Sequence, residues 1–119
     1  MNHLKKFESF NNVDFLIDNI KDILLELDDG GYLTAVDKKH DYLDRITIHI
    51  SSKSGDIFSI NDISEEIIRI NDFIVADECV IKNIYLRLKG GDNRFLNIKK
   101  IEEFPEWEVM SISIQFIPN

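Results

Sequence analysis

The sequence predicts an α+β domain: a two-layer sandwich in which two helices cover one face of a mostly antiparallel five-stranded sheet, in the order α-β-β-α-β-β-β. Three observations predict it. Two segments repeat apolar residues every three or four positions, which marks one face of an α-helix. Other segments alternate, most cleanly at Ile46, Ile48 and Ile50, which marks one face of a half-buried strand. Glycine pairs at Gly30-Gly31 and Gly90-Gly91 punctuate them. Each strand then has one apolar and one polar face, and two striped helices suffice to cover a single sheet face.

Residues 1–11 read as a lead segment, with Leu4, Phe7 and Phe10 at spacing three. Such a segment packs across a domain edge or docks a partner. Asn12 reads as the N-cap of the first helix, its side chain accepting from early helical N–H groups. Val13, Leu16, Ile17, Ile20, Ile23, Leu24 and Leu27 then form an apolar stripe. Gly30 and Gly31 end the helix, because glycine tolerates the left-handed conformation after a helix C-terminus. Residues 32–37 form the first strand, and Lys39, His40 and Asp41 a polar turn. Residues 45–51 form the second strand, paired with the first as a hairpin.

The second helix is capped by Ser59 or Asn61, and Ile60, Ile63, Ile67, Ile70 and Ile74 form its narrow seam. On the next strand Val80, Ile84, Leu86 and Leu88 share one face, with Ile81, Tyr85 and Arg87 opposite; Lys82 falls on the apolar side, where its stem can snorkel outward. Gly90-Gly91-Asp92-Asn93 is a hairpin turn, since these residues adopt positive φ cheaply. Residues 95–100 return as a strand. Pro105 marks a break. Residues 107–117 form the last strand, with Met110, Ile112, Ile114 and Phe116 inward and Ser111, Ser113 and Gln115 outward.

At 119 residues the chain fits one domain, residues 1–119, able to bury a core without staples. It has no apolar run near ~18 residues, so no membrane span is expected. The opening is too polar for a secretory leader. One cysteine, Cys79, excludes an internal disulfide and a cysteine zinc cluster. Twenty Ile against two Ala points to an AT-rich genome; the branched Ile residues also suit strands.

The formal charge is −8, and each half of the chain carries 7 bases and 11 acids. General nucleic-acid binding is therefore not expected, because phosphate affinity comes from Lys and Arg. The balance reverses locally. Lys82, Arg87, Lys89, Arg94, Lys99 and Lys100 face only Asp92 over residues 79–100, and Glu102, Glu103, Glu106 and Glu108 follow.

Two surfaces stand out as candidate binding sites. Asp14, Asp18, Asp22 and Glu26 follow at i, i+4 on the first helix, with Asp29 one turn on. Like charges at that spacing cost a helix ~0.2–0.5 kcal/mol per pair. The stripe therefore has no local structural rationale beyond solvation. Its functional reading is contact with a protein partner, specifically the basic groove of a nucleic-acid-handling protein. The second surface is the polar sheet face, where Thr47, His49, Tyr85, Arg87, Lys89, Asn97, Lys99, Ser111, Ser113 and Gln115 point one way. Aromatic and Arg side chains on an open sheet are contact anchors. The bland reading is a half-wet sheet, and homodimerisation through this face lies between the two.

Catalytic and metal readings are weaker. Asp37, His40, Asp41 and Asp44 share one turn, but their spacing matches no known cation loop. His40, His49 and Cys79 lack a nucleophile–base arrangement. Both glycine pairs end or turn elements rather than cradle phosphate. No metal, cofactor or enzymatic activity is expected.

The opening Leu4-Lys5-Lys6-Phe7-Glu8-Ser9-Phe10-Asn11 resembles the start of small proteins of large tailed bacteriophages with AT-rich genomes. The helix from Ile20-Lys21-Asp22-Ile23 through Gly30-Gly31-Tyr32, followed by strands, is similar to segments of such proteins. The resemblance covers about a third of the chain. It implies an accessory, host-interaction protein in a bacterial cytoplasm, or a virion component, and brings no functional residues with it.

Overall fold

The computed structural model describes residues 2–40, 44–76, 80–96 and 107–117. The first helix, α1, runs without a break from Asn2 to Asp29. The expected N-cap at Asn12 is therefore interior, and the lead segment belongs to the helix. The physical reason is visible in the chain: no Gly or Pro separates Asn2 from Val13. An interior Asn costs only ~0.7 kcal/mol, too little to end a helix of this length.

The C-terminus falls where the glycines predict. The Gly30 N–H donates to the Glu26 and Leu27 carbonyls at 3.0 Å, and Gly31 adopts φ +98°. An Ala at Gly31 would meet no atom within 4 Å, so its cost is conformational alone. Gly31→Ala is expected to lower stability by about 1 kcal/mol, measurable as a shift in the urea midpoint.

β1 (Tyr32–His40) and β2 (Asp44–Ser52) form the expected hairpin, in register from Tyr32↔Ser52 to His40↔Asp44. Lys39 and His40 are thus strand rather than turn. β3 (Phe58–Ser59) is a short strand with no periodic signal. A 3₁₀ turn over Ile60–Ile63 precedes α2 (Ser64–Ala76). Ser59 caps that turn in extended conformation without a side-chain bond, and the Ser64 hydroxyl donates to the Asn61 carbonyl at 3.1 Å. β4 (Val80–Leu88) and β5 (Asn93–Leu96) pair across Tyr85↔Phe95, so the return strand starts two residues earlier than expected. At their turn Gly90 has φ +95°, which lets the Leu88 N–H reach the Asp92 carbonyl at 2.7 Å. β6 (Glu108–Ile117) is the last strand.

The strand order is β1-β2-β6-β4-β5, with β3 also on β6, and every pairing is antiparallel. The last strand in sequence is therefore central in space. Ile46, Ile48, Ile50, Ile84, Leu86, Ile112, Ile114 and Phe116 are buried on one face. Leu16, Ile17, Ile20, Ile23, Leu24 and Leu27 of α1 join them in one cluster, as do Ile67, Ile70 and Ile74 of α2. Both helices thus cover the same sheet face, as a two-layer sandwich requires. No polar or charged residue is fully buried among the described residues, although the Oδ1 atom of half-buried Asn71 is shielded from solvent.

One inward assignment is corrected. Met110 is 39% exposed and its neighbour Val109 is buried. The ladder pairs Arg87 with Ser111 but Leu88 with Val109. Met110 is the extra residue of a β-bulge, which reverses the alternation at that point. A second register shift lies between Ile81 and Asn83. The expected facing of Val80, Ile81 and Lys82 lies outside the described side chains.

Candidate functional site

The face of the sheet opposite the helices is set by three transverse rows. The registers align Ala35, His49, Ser113, Tyr85 and Phe95 across the sheet. A second row is Leu33, Ser51, Ser111, Arg87 and Asn93, and a third Asp37, Thr47, Gln115 and Asn83. Residues of one row are directly opposed and share a face.

Residue size gives this face its relief. Ser111 and Ser113 are short and occupy the central strand. Thr47 and His49 rise on one side, Tyr85 and Arg87 on the other. They enclose a shallow depression of about 360 Å³. His49 Nδ1 lies 3.0 Å from Ser113 Oγ. Tyr85 and Phe95 stack at 4.7 Å between ring centroids, tilted by 53°. The Asn83 amide donates to the Tyr85 hydroxyl at 3.4 Å. Phe95 is 64% exposed, an unusual exposure for a large aromatic ring. Chemically the face offers a hydroxyl–imidazole pair, amides, one exposed guanidinium and an aromatic pair, which suits recognition of a mixed polar surface.

Of the residues expected here, the structure brings together Thr47, His49, Tyr85, Arg87, Ser111, Ser113 and Gln115. Lys89 does not line the depression. It lies in the turn after β4, 4.0 Å from Glu108. Arg94 is the ladder partner of inward-facing Leu86, so it stands on the helix side of the sheet edge. The expected basic cluster is thus split between faces. Asn97, Lys99 and Lys100 lie outside the described residues. The His49–Ser113 and Tyr85–Phe95 pairs had no local sequence signal; the first joins residues 64 apart in the chain.

The acidic helix face is only partly free. Asp18, Asp22 and Asp29 are exposed. Asp18 sits 3.8 Å from Lys21. Glu26 departs from the expectation of a stripe without structural use. It accepts from the two terminal guanidinium nitrogens of Arg69, with the longer contact at 3.4 Å, and so ties α1 to α2. That hydrogen bond raises the Arg69 pKa above its usual value. Asp28, outside the stripe, is held by Lys53, whose ammonium is 3.2 Å from Oδ1 and 2.7 Å from the carbonyl oxygen. The side chain of Asp14 lies outside the described residues. Because both members of the Glu26–Arg69 pair are exposed, a double-mutant cycle on Glu26→Gln and Arg69→Gln is expected to give a small coupling that shrinks as salt is added.

On the core side Tyr32 packs edge-on against Phe58 with centroids 5.1 Å apart. Burial, then Asp62 and Glu66, raise its phenol pKa. Among the described residues no three His, Cys, Asp or Glu side chains converge. Asp37 is exposed on β1. The side chains of His40, Asp41 and Asp44, and Cys79 itself, lie outside what is described. No described helix is long and apolar enough to cross a membrane. No family model, curated protein or solved structure matches the chain.

Proposed function

We propose that this chain is a non-enzymatic bacteriophage accessory protein that acts by binding another macromolecule, with the uncovered sheet face as its docking surface. One observation carries this reading. An aromatic pair, Tyr85 and Phe95, stands beside Arg87 and His49 on a face that neither helix covers. Aromatic and Arg side chains at the centre of a patch supply most of the energy in protein interfaces. The acidic helix face supports it less well, since Glu26 is engaged within the molecule.

The partner on this reading is a protein of the host cell that meets the aromatic pair and Arg87; a nucleic-acid-handling protein would instead use its basic groove on the exposed acids Asp18, Asp22 and Asp29 of α1, on the other layer. An affinity pull-down from infected host cells, with the wild-type chain beside an Arg87→Glu, Tyr85→Ala variant, tests it. A partner enriched by the wild type and lost with the variant supports the proposal. Equal recovery by both chains refutes the sheet face as the docking surface. Enrichment of capsid or tail proteins instead identifies a virion component.

A further inference from the structure

The open edge of β1 carries a second surface, independent of the sheet face. We infer that it is a homodimer interface: β1 pairs antiparallel with β1 of a second copy, and the flanks of the two α1 helices meet above the join.

β1 ends the strand order, so no described element pairs with its outer side. The ladder decides which backbone groups stand free there. Lys53 N–H donates to the Gly31 carbonyl at 3.0 Å, one step beyond the Tyr32↔Ser52 pair. Antiparallel pairs alternate in their bonding. Residues 33, 35 and 37 therefore turn their N–H and C=O toward β2. Tyr32, Thr34 and Val36 turn theirs to the open edge. Native edges are guarded by Lys, Pro or a bulge. In β1 the charged residues Asp37, Lys38 and Lys39 all lie beyond Val36, so the segment from Tyr32 to Val36 carries none of these guards.

A two-fold axis normal to the sheet must pass midway between one residue and its own copy, because directly opposed residues share a face. Centred on Thr34, it pairs Thr34 with the partner's Thr34 and Tyr32 with the partner's Val36. This register uses the free groups in phase and forms about six hydrogen bonds.

The helix above the edge favours a second copy over a foreign strand. A groove of about 410 Å³ runs between α1 and β1, lined by Lys21, Leu24, Leu25 and Asp28 above and by Thr34 and Val36 below. Leu25 is 61% exposed, three or four residues from the exposed acids Asp22 and Asp29. Lys21, Leu25 and Asp28 succeed one another along one flank at i, i+4, i+7. The same axis sets α1 antiparallel to its counterpart. Leu25 then meets the partner's Leu25, and Lys21 meets the partner's Asp28 on both sides of it. The stripe is complementary to itself. The present contacts of Lys21 with Asp18 and of Asp28 with Lys53 are exposed, so both groups can be shared. Such a dimer leaves both polar sheet faces open on one side, joined into one continuous platform.

Sedimentation equilibrium of the full chain, from micromolar to millimolar, tests the inference. The expected result is a concentration-dependent rise toward twice the 13.9 kDa monomer mass. Leu25→Asp, and Thr34→Pro, which removes an edge-facing N–H, should each raise the dissociation constant by about tenfold or more. Lys21→Asp should weaken association, and adding Asp28→Lys should restore it. Far-UV circular dichroism checks folding; should Thr34→Pro fail to fold, exposed Leu25→Asp carries the test. A monomer at every concentration overturns the inference. So does a dimer indifferent to Leu25→Asp, or a charge swap without rescue. None of these results bears on partner capture by the sheet face, which the Arg87 and Tyr85 variant reads separately.

Discussion

Replacing Phe116 with Ala is expected to lower stability by about 3–5 kcal/mol. Phe116 is fully buried on the central strand, with Ile46 and Ile81 as its ladder neighbours. Truncating its ring leaves a cavity under the helix layer, and a close-packed interior closes such a cavity only in part. Domains of this kind hold about 5–15 kcal/mol in total, so the variant stands near the edge of folding. Urea unfolding measures the effect as a lower midpoint with an unchanged slope. Ser113 is three residues earlier on the same strand but faces the other way. Ser113→Ala is expected to change stability by less than about 1 kcal/mol, since the exposed imidazole of His49, its partner, can turn to solvent instead. Equal losses at the two positions would contradict one-sided burial.

The second large effect is on binding. Removing the Tyr85 ring and reversing Arg87 together should reduce partner affinity by about 30-fold or more, the scale of a lost hot spot. Both positions lie away from the helix layer, and Arg87 is exposed, so the loss should appear without a matching drop in melting temperature. Calorimetric titration against the captured partner separates the two quantities. A variant that binds normally removes the sheet face from the account, whatever its stability.

How far the fold could be read from the chain depends on the range of each interaction. The Ile seam of α2 and the Leu and Ile stripe of α1 follow from helical periodicity, and each of these residues with a described side chain is buried. The alternation of Ile46, Ile48 and Ile50 likewise exposes its own facing. Gly31 and Gly90 mark conformations that other residues rarely adopt. What escaped was set over longer distances or by weak local preferences. Asn12 looks like a cap, yet the uninterrupted residues before it continue the helix. The insertion of β6 between β2 and β4 is a pairing choice that no local pattern encodes. The bulge at Met110 is visible only once β4 is its partner. The candidate site shows the same division. That Tyr85, Arg87, His49 and Ser113 share a face follows from alternation. That His49 meets Ser113, and Tyr85 meets Phe95, follows from register, which depends on the assembled sheet.

Everything proposed for function requires that one side of this sheet be wet while the other lies beneath two helices. Thiol labelling of the folded chain tests that most directly. In a Cys79→Ser background, single cysteines replace Ser113 on the outer face and Ile112, its chain neighbour, on the inner face. Position 113 is expected to be modified rapidly under native conditions, and position 112 only as fast as the protein unfolds. Protection of position 113 in the monomer, or free reaction at position 112, would contradict that arrangement.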